Sequence, residues 1–138
     1  MDAAELPQKQ KNLLAGVRVV DRLNEAINAR QLELKARLEK IKSLHRFTPF
    51  RVKQEKIEAF VKRVQVQEKQ IGAMKKSHSV ADQKVQAILS RDKKNAAAFE
   101  RLLDRANDAM ERYGKAAALH LVTLDKLIAE ADKILEFA

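Results

Sequence analysis

From Leu13 to Ile41 the apolar residues return at alternating intervals of four and three. Leu13, Val17, Val20, Ile27, Leu34, Leu38 and Ile41 hold this stripe, and Asn24 and Gln31 fill its two remaining positions. A strand cannot keep that period, whereas a helix places every member on one face and offers it to another helix. Turn material is scarce, with only 3 Gly and 2 Pro among 138 residues, and the abundant Ala, Leu, Lys, Glu, Gln and Arg are good helix formers. The expected fold class is therefore all-α: one domain over 1–138, an elongated antiparallel bundle or coiled coil of three long helices.

Helix one is expected over about residues 8–45, with Pro7 in its first turn, a length of roughly 55 Å at about 1.5 Å per residue. Asn24 and Gln31 admit two readings. A buried amide on a seam fixes register, while a half-open seam lets both amides reach water, and the second reading is the simpler for an intramolecular bundle.

The first reversal is expected at Arg46-Phe47-Thr48-Pro49-Phe50-Arg51. Thr48 has capping chemistry, Pro49 fits a first helical position, and Phe47 with Val52 can form a hydrophobic staple. Helix two then spans about 49–76, with Ile57, Phe60, Val61, Val64, Ile71 and Met74 on one side. A second reversal is expected at Ser77-His78-Ser79, where Ser79 and Asp82 resemble a cap with an acid in the first turn.

Helix three is expected over about 80–136, its stripe running from Val80 through Val85, Leu89, Phe99, Leu103, Met110 and Tyr113. After Gly114 the pattern resumes as Ala117, Leu121, Leu124, Ile128, Ala131 and Leu135, which reads as a stutter that bends the helix near Gly114. A split there into a four-helix bundle is the alternative. Leu119, Val122, Leu127, Ile134 and Phe137 fall off this stripe. So much apolar surface around one helix points to cover by a second copy or a partner helix, and these five residues are the expected protein interface.

Charge is the other asymmetry. Residues 1–76 hold 18 Lys/Arg against 9 Asp/Glu and residues 77–138 hold 10 against 10, so the first part carries the whole net charge of +9. Such a distribution favours a polyanion or an acidic partner. Lys11, Arg18, Arg22, Lys40, Arg51, Lys53, Lys62 and Arg63 are the cations placed to meet it. Interspersed acids such as Asp21, Glu25, Glu33 and Glu39, and the lack of a basic run of five, dilute a nucleic-acid footprint. A membrane surface is disfavoured because these cations face away from a stripe that the core already uses.

Catalytic chemistry is hard to assemble from this chain. There is no Cys, no glycine loop for phosphates and no nucleophile elbow, and His45, His78 and His120 lie in separate segments without a helical His/Glu pair. Each histidine reads as a helix-end or surface residue. No cofactor or metal is expected. The acidic start Met1-Asp2-Ala3-Ala4-Glu5 lacks the basic region of a signal peptide. The longest apolar stretch, Ala116 to Leu124, is well short of the ~20 residues of a membrane span. The expectation is a soluble cytoplasmic protein without enzymatic activity, an adaptor, scaffold or oligomeric structural component working through helix packing. A nucleic-acid binder using the backs of helices one and two is the alternative.

Overall fold

The computed structural model describes the backbone of residues 5–47, 54–90 and 96–136. Three helices make up nearly all of it: α1 (Glu5–Phe47), α2 (Gln54–Leu89) and α3 (Ala96–Glu136). The protein is an all-α bundle. Pro7 lies in the first turn of α1, where its missing N–H would have had no helical partner. The capping residues expected between α1 and α2, Thr48 and Pro49, lie outside the described residues, as does the aromatic Phe50.

The second reversal is not at residues 77–79. Helix α2 runs through Ser77-His78-Ser79 without interruption and ends at Leu89. There the Ser90 N–H donates to the Gln86 carbonyl at 3.1 Å and the Ser90 hydroxyl to the Ala87 carbonyl at 3.1 Å. The physical reason is the seam. Ile57, Phe60, Val64, Gln67, Ile71, Met74, His78, Ala81, Val85 and Ile88 keep the three-and-four alternation across the expected break, and none of them is exposed. A serine cap contributes about 1 kcal/mol, whereas each large aliphatic residue kept in the core contributes roughly 1.5–3 kcal/mol. Tertiary burial therefore outweighs the local capping signal.

The same cause removes the stutter at Gly114. Helix α3 is continuous from Ala96 to Glu136, so the four-helix alternative does not occur. Its seam keeps a single phase through Tyr113, Ala117, His120, Leu124, Leu127, Ala131 and Ile134. The apparent shift arose from passing over His120 as a seam position.

The chain forms two compact units, one of residues 1–24 and 73–117 and the other of 25–72 and 118–138. In the first, Leu13 and Val20 of α1, Val85 of α2, and Phe99, Leu103 and Met110 of α3 form the buried core. Here α1 and α3 run parallel, with Lys9 beside Glu100 and Asp104 and Gly16 beside Met110. A Cβ on Gly16 would lie 3.3 Å from the Met110 Cβ, so the missing side chain lets the two helices approach closely.

In the second unit, Ile27, Leu34 and Ile41 of α1, Phe60, Val64 and Ile71 of α2 and Leu124 and Ala131 of α3 are all buried. The parallel register of α1 and α3 is marked by two ion pairs one heptad apart, Arg30–Asp125 at 2.8 Å and Arg37–Asp132 at 2.7 Å. Both span 95 residues of sequence. Helix α2 opposes α3, since Arg63 pairs with Glu130 while Gln67, four residues further on, bonds to His120.

Candidate interaction surfaces and buried polar pairs

Two of the three histidines lie on core seams, contrary to the surface reading. His78, on α2, is 9% exposed. Its Nδ1 is 3.3 Å from the Asn24 amide nitrogen of α1, and its ring meets Tyr113 of α3 edge to face, with centroids 5.6 Å apart. Asn24 Oδ1 and His78 Nε2 are both buried and have no hydrogen-bond partner among the described residues. The carbonyl oxygen of the Asn24 side chain thus does not open to water as the half-open seam required. In the other unit, half-buried His120 accepts at its Nδ1 a 2.7 Å hydrogen bond from the amide nitrogen of buried Gln67. Burial disfavours the imidazolium and lowers the pKa of His120. The side chain of His45 lies outside the described set.

These pairs were missed because a polar residue on an apolar stripe reads as an interruption. The available signal was periodicity taken strictly, since positions 67 and 78 in α2 and 120 in α3 continue their alternations without a change of phase.

The expected apolar interface divides three ways. Leu127 and Ile134 are 5% and 7% exposed and belong to the chain's own core, which corrects their assignment to a docking face. The unbroken α3 seam is the reason: both occupy inward positions once His120 is counted. Leu119 and Val122 are 69% and 52% exposed, and lie three residues apart on the outer face of α3. Phe137 lies outside the described residues.

Of the cations expected to meet a polyanion, Lys11, Arg18 and Arg22 are exposed on α1 in the first unit, and Lys40 and Lys62 are exposed in the second. None of these five pairs with a carboxylate among the described residues. Arg63 differs, because Glu130 holds its guanidinium and pushes its pKa up, and the same group lies 5.8 Å from the centre of the buried Phe60 ring. Arg51 and Lys53 lie outside the described residues.

Acids of α3 are, by contrast, largely engaged. Glu100 and Asp104 both hold Lys9, at 2.6 and 2.8 Å, and raise its pKa, Asp104 more strongly. Asp125, Asp132 and Glu130 hold Arg30, Arg37 and Arg63. Among the described residues no group of three or more His, Cys, Asp or Glu is placed to hold a metal ion, and no helix is long and apolar enough to cross a membrane. Comparison with protein-family models, curated proteins and solved structures finds no match to this chain.

Proposed function

We propose that the protein is a non-enzymatic, cytoplasmic helical interaction protein, an adaptor or structural component whose basic N-terminal half meets an acidic protein partner. The observation that carries this reading is the unequal use of charge. The carboxylates of α3 neutralise Lys9, Arg30, Arg37 and Arg63 within the chain, while Lys11, Arg18, Arg22, Lys40 and Lys62 remain exposed. An excess of one sign of charge draws in a partner of the other sign and sets its on-rate. Exposed Leu119 and Val122 add an apolar component that salt does not screen. Self-association through Leu127 and Ile134 is not part of the proposal, because both are buried in the monomer.

Nucleic acid is the second reading, favoured by the same cations. Light-scattering mass measured alongside titration with a labelled oligonucleotide separates the two. If about five phosphates are contacted, log affinity falls with log salt at a slope near −4 to −5. Charge reversal at Arg18, Arg22 and Lys40 then flattens it. Binding of that strength and salt dependence, unchanged by Leu119→Glu and Val122→Glu, replaces the protein-partner reading with the nucleic-acid one.

A further inference from the structure

In the unit of residues 1–24 and 73–117, α2 and α3 leave between them an open groove of about 740 Å³. Its floor is Met74, Ala81 and Tyr113, all half-buried, and its rim carries Val80, Lys84 and Arg112, all exposed. Val80 is 53% exposed, an aliphatic side chain with half its surface still in water. No carboxylate lines the groove. On α2 the lining extends from Ala73 to Lys84, roughly 16 Å at about 1.5 Å per residue, or three helical turns.

We propose that this groove is a docking site for one helix of a partner protein, about three turns long, apolar on one face and acidic along its flanks. The proposal rests on the reading that the partner is acidic, and it names the place and shape of contact. A trench between two helices is the shape that the ridges of a further helix fill. Small ligands are poorly suited, since they depend on a cavity that buries most of their surface. Charge selects the flanks: Lys84 and Arg112 are unopposed by any acid in the lining, so glutamates of a docked helix would meet them. A second copy of this chain is disfavoured by the same argument, because it brings another net charge of +9.

The test uses the full chain and three 18-residue helical peptides measured by fluorescence anisotropy. One carries a leucine stripe with flanking glutamates, one the same stripe with flanking lysines, and one the glutamates without the stripe. The glutamate-flanked amphipathic peptide should bind most tightly. Lys84→Glu with Arg112→Glu should weaken it by about tenfold or more and strengthen the lysine twin comparably. Val80→Asp should weaken both stripe-bearing peptides. These three side chains are exposed, and circular dichroism verifies that each variant keeps its helices. Binding indifferent to all three substitutions but lost on Lys11→Glu/Arg18→Glu/Arg22→Glu overturns the groove and leaves the acidic-partner reading standing. Failure of every acidic peptide to bind overturns both. A wild-type dimer that Val80→Asp converts to monomer in light scattering assigns the groove to a second copy and also overturns the proposal.

Discussion

Both compact units answer a seam histidine on one helix with an amide on another, yet they do so with unequal success. Gln67 and His120 approach to 2.7 Å, with Gln67 buried and His120 half-buried. Asn24 and His78 are 3.3 Å apart, His78 is 9% exposed, and each retains a buried polar atom with no partner among the described residues. Each pair joins one buried residue, His78 or Gln67, to one half-buried residue, Asn24 or His120, so depth does not distinguish them. The difference lies in how many buried donors and acceptors are matched, and each miss costs about 1–3 kcal/mol.

The most direct way to break this contrast is to remove both pairs in turn. Asn24→Leu with His78→Leu should stabilise the fold by about 1–3 kcal/mol in urea unfolding, since two unsatisfied atoms disappear into an apolar seam. The matching replacement, Gln67→Leu with His120→Leu, should change stability by less than about 1 kcal/mol, because a well-made bond is lost along with its desolvation. Equal effects at the two sites would show that the two unmatched atoms are not the deciding variable. His78→Leu alone should gain less than the double variant, as it strands both polar atoms of Asn24.

Glycines sharpen the comparison at the level of backbone packing. A Cβ at Gly72 of α2 meets nothing within 4 Å, so Gly72→Ala should stabilise by roughly 0.5–1 kcal/mol through helix propensity. At Gly16 of α1 the added Cβ would press on the Met110 Cβ at 3.3 Å. There the gain should be cancelled or reversed, because both atoms are fixed close to their backbones. Thermal unfolding of the two variants reads the difference.

Smaller still are the heptad-spaced ion pairs. Arg37→Ala should cost about 0.2–1 kcal/mol, the range of solvent-exposed pairs. The swap Arg37→Asp with Asp132→Arg should recover part of it at low salt and little at high salt. A loss of several kcal/mol would mean that these pairs set the register of α1 on α3, which the apolar seam otherwise does alone.

The subtlest expectation concerns acid. His120 binds its proton less readily in the fold than in the unfolded chain, owing to burial. The unfolded state therefore takes up more protons below a pH of about 6.5, and stability contributed by the neutral ring is lost as pH falls through the folded pKa. His120→Gln should flatten the acid side of a stability-against-pH curve measured by urea midpoint. An unchanged slope would assign that acid sensitivity to other groups.

Much of this architecture was already legible in the order of residues. Scarce Gly and Pro with a four-and-three stripe define helices, and the seam of α1 emerges as read: Leu13, Val20, Ile27, Leu34, Leu38 and Ile41 are all buried. Gly114 without accompanying turn chemistry reads as a residue inside a helix, and α3 passes through it. A run of six polar residues from Ser90 to Asn95 follows the end of α2, whereas the serines at 77 and 79 lie inside that helix. Cap signals are local and worth about 1 kcal/mol, and they decide only where the longer stripe has already ended.

Helicity, one helix face of the core and an excess of positive charge in the first 76 residues follow from the order of residues. Tertiary packing chose between competing sequence signals for the second reversal, and it set the buried place of His78, the half-buried place of His120 and the inward turn of Leu127 and Ile134. The reason is energetic. A histidine on an apolar stripe is tolerated when a neighbouring helix supplies it with a hydrogen-bonding group, and here Asn24 and Gln67 stand 54 and 53 residues away along the chain from the rings they meet. No local pattern encodes that coincidence, because it exists only once the helices have packed.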